Sequence, residues 1–180
     1  MHQYLPVIPN NIKNVDFRAY MVESAYKYYM TAIKSSYNDI ATKSVICALA
    51  TEILLKSYNA EVTNNKGRID ENYQFNKSSA SVNDPHDLVQ LADAIPKEVR
   101  CYLLTEMDYD ILTANRNLFK ASRYLYEKEA RDFYFDDIID LTCELICKTI
   151  LLYRKLGCCD YFIKFTDVNE IYFGHKQRFI

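Results

Sequence analysis

Residues 45–56, VICALATEILLK, constrain the chain most. Apolar or small side chains occupy Val45, Ile46, Ala48, Leu49, Ala50, Ile53, Leu54 and Leu55, an arc too wide for a helix with one wet face. Such a segment needs neighbours on most sides, so it predicts a central helix, running over residues 39–58. Ser44, Cys47 and the alanines leave one side narrow enough for close approach, and the leucines fill the other. Two charges interrupt this pattern. Glu52 and Lys56 stand one turn apart in the acid-then-base order that favours an i,i+4 pair. The plainer reading is a pair at the rim of the core. The sharper one is that so apolar a helix keeps polar groups where they orient a backbone turn or a residue on a neighbouring helix.

With 180 residues, 49% of them hydrophobic, one domain spanning residues 1–180 is expected. Only three glycines and four prolines, against ordinary usage of about 7% and 5%, leave few breaks and favour long helices. The expected class is therefore all-α. Sixteen tyrosines suit helix interfaces with a wet hydroxyl, and equally a surface that stacks on bases. A formal charge of −2 and a pI near 5.9 give no global basic field, so any contact with nucleic acid would have to be local.

No apolar run reaches the roughly eighteen residues of a membrane span, and MHQYLPVIPNN lacks the regions of a secretory signal. A cytoplasmic protein without a membrane partner is expected, and its six cysteines then read as reduced thiols. Cys143, Cys147, Cys158 and Cys159, with His175, invite a metal site, but their spacing matches no common zinc pattern. They are expected to be small buried hydrophobes, with no metal and no cofactor.

Along the chain, residues 1–14 predict an extended arm. A first helix is expected over 15–36 from Phe17, Tyr20, Met21, Ala25, Tyr28 and Ala32 at threes and fours, followed by a tight turn into the central helix. Residues 59–85 are polar and turn-rich with no sustained period, which predicts a long loop leaning towards partial disorder, with Tyr73 and Phe75 as anchors. His86 opens a short helix that Pro96 ends. Residues 97–104 form another, with Val99, Cys101, Tyr102 and Leu103 inward. The stretch 105–130 is helix-permissive, with apolar contacts from Met107, Ile111, Leu112, Phe119, Tyr124 and Tyr126 and a break near 113–117. The clearest helix of the second half covers 136–156, opened by aspartates and stopped by Gly157. Beyond it, YFIKF and EIYF around TDVN predict a short hairpin or an extended strap.

Three pieces in this order carry a resemblance: ALATEILLKSY, then His86-Asp87-Leu88 after the polar loop, then Arg123-Tyr124-Leu125-Tyr126-Glu127 before the last long helix. Together they resemble a HEPN domain. The resemblance covers roughly residues 24–156; the core would be 15–157, with the arm 1–14 and the tail 158–180 outside it. It implies an up-and-down helical bundle, commonly a homodimer, in a bacterial toxin–antitoxin or antiphage setting. An operon-encoded partner protein, RNA or a nucleotide would be its partners.

Active members of that family are metal-independent ribonucleases with an Arg followed, after four to six residues, by His. The His exchanges a proton at the ribose or leaving oxygen while the Arg stabilises the phosphate. That spacing is missing here. After Arg123 the positions hold Lys128, Glu129 and Ala130; after Arg131 they hold Asp136, Asp137 and Ile138. The resemblance then implies a non-catalytic module whose ligand-binding set is Glu52, Lys56, His86, Asp87, Arg123, Tyr124, Tyr126 and Glu127. One alternative is a ribonuclease with a rearranged site using His86 and Arg123; another is a structural protein-interaction subunit. The plainer reading of the same residues is structural. Asp87 and His86 would serve a helix start, Arg123 and Glu127 an i,i+4 pair on a wet face, and the tyrosines packing.

Overall fold

The computed structural model describes residues 3–68, 70–128 and 130–176. The outermost residues of the expected arm and tail, 1–2 and 177–180, lie outside the described residues, as do 69 and 129. The chain is predominantly helical, with one small two-stranded sheet.

Helix α1 is Ala19–Lys34. Its buried stripe is Val22, Ala25, Tyr29 and Ala32: Ala25 and Ala32 are as expected, but Val22 and Tyr29 replace Met21 and Tyr28, and Tyr20 and Tyr28 face outward. It also starts four residues later than the periodicity suggests. Arg18 Nε donates to Ala60 O at 2.7 Å and Phe17 packs its ring on Tyr153, and these contacts hold the preceding residues out of the helix. Helix α2, Ile40–Ser57, begins where Asp39 accepts a hydrogen bond from Thr42 N at 3.0 Å, and it is buried nearly all round. Because Arg18, before α1, reaches Ala60, just after α2, the two helices run antiparallel.

The expected structureless loop at 59–85 contains a hairpin instead: β1, Ala60–Asn64, pairs antiparallel with β2, Asn72–Phe75. Val62 sits opposite Tyr73 and Ala60 opposite Phe75. Alternation over four or five residues is too short to stand out in a polar stretch, yet Asn65 (φ 56°) and Gly67 (φ 77°) supply the left-handed residues that turn the chain.

Helices α3 (Leu88–Asp93), α4 (Lys97–Leu103), α5 (Glu106–Ala114) and α6 (Leu118–Ser122) follow. The break falls at Asn115–Asn117, within the expected window, and Thr105 with Asp108 forms a capping box at the start of α5. Two inward assignments are corrected. Cys101 is exposed, and Met107, in the first turn of α5, is 74% exposed. Nor does helix continue towards residue 130: it ends at Ser122, and residues 123–128 and 130–136 run without regular structure.

Helix α7 is Asp137–Lys155, and Gly157 (φ 88°) takes the left-handed position that stops it. Between α2 and α7, Ser44 Oγ donates to Phe135 O at 2.9 Å, Thr51 and Thr142 share a hydroxyl bond at 2.8 Å, and Tyr58 and Thr149 another at 3.0 Å. Residue numbers rise together along these three contacts, so α2 and α7 run parallel.

The tail forms neither hairpin nor strap. It forms α8, Tyr161–Phe165, and α9, Val168–Lys176. The local chemistry is helical: Asp160 accepts from Ile163 N and Asp167 from Asn169 N and Glu170 N, so each short segment has an acidic start signal. Helix α9 returns antiparallel along α7. Cys147 Sγ meets Val168 O, Cys143 Sγ meets Ile171 O, and His175 Nε2 lies 2.5 Å from Asp140 Oδ1. The cysteines expected to pack as small hydrophobes do so at Cys47, Cys143, Cys147 and Cys158, while Cys159 is exposed. His175 also bonds Tyr29 Oη through Nδ1 at 2.8 Å, tying α9 to α1. The arm lies over this pair: Tyr4 stacks on Tyr172 at 3.9 Å, and Lys155 Nζ donates to Ile8 O.

Candidate functional site

The first two pieces of the resemblance meet in space. Glu52, on the side of α2 that faces the hairpin and α3, is 4% exposed, and its carboxylate accepts from Lys56 Nζ at 2.6 Å. His86 Nδ1 lies 3.1 and 3.2 Å from its two oxygens. A carboxylate can only accept, so Nδ1 donates, and in the neutral form of the ring the lone pair is then on Nε2. The His86 side chain is 38% exposed. A part-exposed imidazole oriented by a carboxylate is the arrangement used in general-base chemistry. Lys56 Nζ also stands 5.6 Å from the Phe75 ring centroid, which adds the hairpin to the cluster.

Asp87 has a second role. Its Oδ1 accepts from Val89 N and Gln90 N, capping α3, while Oδ2 accepts from Gln90 Nε2 at 2.7 Å and from Arg116 Nε at 2.6 Å. Burial alone would push this carboxyl up; the Gln90 bonds and the Arg116 guanidinium outweigh it and hold it below the usual carboxylate range. Beside it, Asp84 accepts from Lys120 Nζ at 2.7 Å and from His86 N, and the Lys120 bond is the main cause of its lowered pKa. Sequence reading missed Arg116, Lys120, Asp84 and Gln90. Gln90, three residues past the cap, and Asp84, two residues before His86, had local signals; Arg116 and Lys120 had none.

A pH dependence follows for Asp87. Its pKa is depressed by folding, so its stabilisation is complete above the unfolded value of about 3.9 and is lost as pH falls through the lower folded value. Asp87→Asn is expected to cost about 2 kcal/mol at pH 7 and to flatten the acid limb of stability. Urea midpoints at pH 7 and pH 3 measure this; an equal drop in both proteins would refute it.

The third piece stands apart. Arg123 is the residue that closes α6, and its guanidinium lies 5.2 Å from the Tyr124 ring centroid; Tyr124 and Tyr126 rings are 6.0 Å apart. Tyr126 is 86% exposed and Glu127 is exposed. The expected Arg123–Glu127 pair does not form, because helical spacing has ended before it. Tyr124 and Tyr126 are therefore not core contacts. Among the described residues, no hydrogen bond, ion pair or ring contact joins Arg123, Tyr124 or Tyr126 to Glu52, Lys56 or His86. The same irregular stretch exposes Leu125 and also Phe133 and Phe135, which sequence reading did not single out.

No helix among the described residues is long and apolar enough to cross a membrane, and none of their His, Cys, Asp and Glu side chains group as metal ligands. Compared with family models, curated proteins and solved structures, the chain matches none.

Proposed function

We propose that this chain is a non-catalytic, HEPN-like helical bundle of the cytoplasm that binds single-stranded RNA as a homodimer in a bacterial toxin–antitoxin or antiphage setting. The observation that carries the reading is the exposed stretch after α6, where Arg123, Tyr124, Tyr126, Phe133 and Phe135 are presented outside any helix. Arginine grips a phosphate through charge-assisted bonds, and aromatic faces stack on bases without reading sequence. Such local binding is compatible with an overall charge of −2.

A second reading has its own support. Glu52 orients His86 as it would a general base, which suits a metal-independent ribonuclease with a rearranged site. That reading needs a cation at the transferring phosphate, and Arg123 makes no contact with the His86 cluster.

One assay separates them: wild type, Arg123→Ala, Tyr126→Ala and His86→Ala on single-stranded and transfer RNA without added metal. Binding without cleavage is expected. Affinity should fall about tenfold in Arg123→Ala and Tyr126→Ala, since a stacked base contributes about 1–3 kcal/mol, should weaken with salt, and should hold in His86→Ala. Robust cleavage lost in both Arg123→Ala and His86→Ala would establish the ribonuclease instead.

A further inference from the structure

A cleft of about 440 Å³ opens where three distant parts of the chain meet: the start of α1, the turn between β1 and β2, and the connection from α7 to α8. Four rings line it, Phe17, Tyr20, Tyr73 and Tyr161, and three carboxylates stand among them, Glu23, Glu71 and Asp160. Arg68 is the one cation among the described lining residues. We propose that this cleft binds a linear polyamine.

The lining has both chemistries such a ligand needs. Aromatic faces attract ammonium groups and pack against methylene stems, while carboxylates take the charged nitrogens. Three carboxylates stand against Arg68 in the lining and Lys27 beside Glu23, an excess of one negative charge that rises to two when a ligand ammonium displaces Lys27 from Glu23. The carboxylates come from three separate elements, which suits several cationic centres strung along a chain rather than one compact head.

The carboxylates are placed but not saturated. Glu71 is braced from both sides, with Gly67 N donating to Oε1 and the Tyr73 hydroxyl to Oε2 at 2.6 Å, so the hairpin turn fixes the Tyr73 ring and its neighbouring charge together. Asp160 uses Oδ1 to cap α8 through Ile163 N at 3.1 Å, and a carboxylate has further lone pairs to offer. Glu23 pairs with Lys27 at 2.8 Å, but that lysine side chain is 61% exposed, and such pairs are weak and exchangeable. The cleft shares no residue with the His86 cluster or with the exposed stretch after α6.

Calorimetric titration of the full chain, freed of nucleic acid by nuclease treatment, tests this with spermidine, putrescine and choline. Saturable one-to-one binding of spermidine is expected, tighter than putrescine, with choline weakest. Glu23→Gln and Asp160→Asn, the second keeping the helix cap, should each weaken spermidine about fivefold. Tyr161→Ala, at a ring 77% exposed, should weaken it about threefold, and Arg68→Ala should tighten it. Circular dichroism confirms that the variants fold, and Arg123→Ala should leave the titration unchanged, which keeps this outcome separate from RNA binding. No saturable heat with spermidine, heat unaltered in the Glu23→Gln/Asp160→Asn double variant, or choline binding as tightly as spermidine would overturn the proposal.

Discussion

A chain ending at Gly157 is expected to lose its cooperative thermal transition. The deleted residues include Ile163, Val168 and Ile171, each almost fully buried. Burial of such side chains contributes about 2 kcal/mol apiece, so their loss removes about 6 kcal/mol, comparable with the roughly 5–15 kcal/mol that keeps a domain folded. Further losses compound this. Arg154 loses its acceptors Ile163 O and Thr166 O, Tyr29 loses His175, and the α7 face around Cys143 and Cys147 meets water. Melting followed by circular dichroism compares the two chains; an unchanged midpoint in the shortened one would show that α8 and α9 merely decorate the surface.

Glu52→Ala is expected to destabilise the protein by about 3 kcal/mol, the lower end of what breaking a buried ion pair costs. The carboxylate is 5% exposed as a side chain and serves Lys56 and His86 at once, so its removal leaves a lysine that is only 17% exposed without its anion. The penalty belongs mostly to the stranded partner. Replacing both members, Glu52→Leu with Lys56→Leu, should therefore recover much of the loss, because apolar groups of similar volume satisfy a dry site without desolvating a charge. Urea unfolding at neutral pH measures both variants. A cost below about 1 kcal/mol for the single change would mean that the cluster is effectively solvated.

How legible the fold was depended on the range over which each signal acts. Helices α2 and α7 were readable because 18 and 19 residues of sustained pattern outvote local exceptions, and their ends carry local chemistry in Asp39 and Gly157. The hairpin at 60–75 and the two tail helices were misread because four to nine residues do not establish a period. In the tail, aromatic and β-branched residues favoured a strand, while the acidic caps and packing against α7 decided for helix.

The candidate site shows the same division. Glu52 and Lys56 are one turn apart and their pairing follows from spacing, whereas Arg116 reaches Asp87 across 29 residues and leaves no mark in either neighbourhood. Arg123 and Glu127 show the converse. They have the spacing of a helical pair, but α6 ends at Ser122, so the rule that would join them does not apply.

The hydroxyl contacts between α2 and α7 bear on uniqueness rather than strength. A helix apolar on nearly every side is content with many rotations about its own axis, since hydrophobic burial has no direction. Thr51 with Thr142, Ser44 with the Phe135 carbonyl and Tyr58 with Thr149 do have direction, and a quarter-turn of α2 would leave several of these groups dry and unbonded at once. The competing arrangements are thereby raised in energy, and one of the many equally greasy packings becomes the native one.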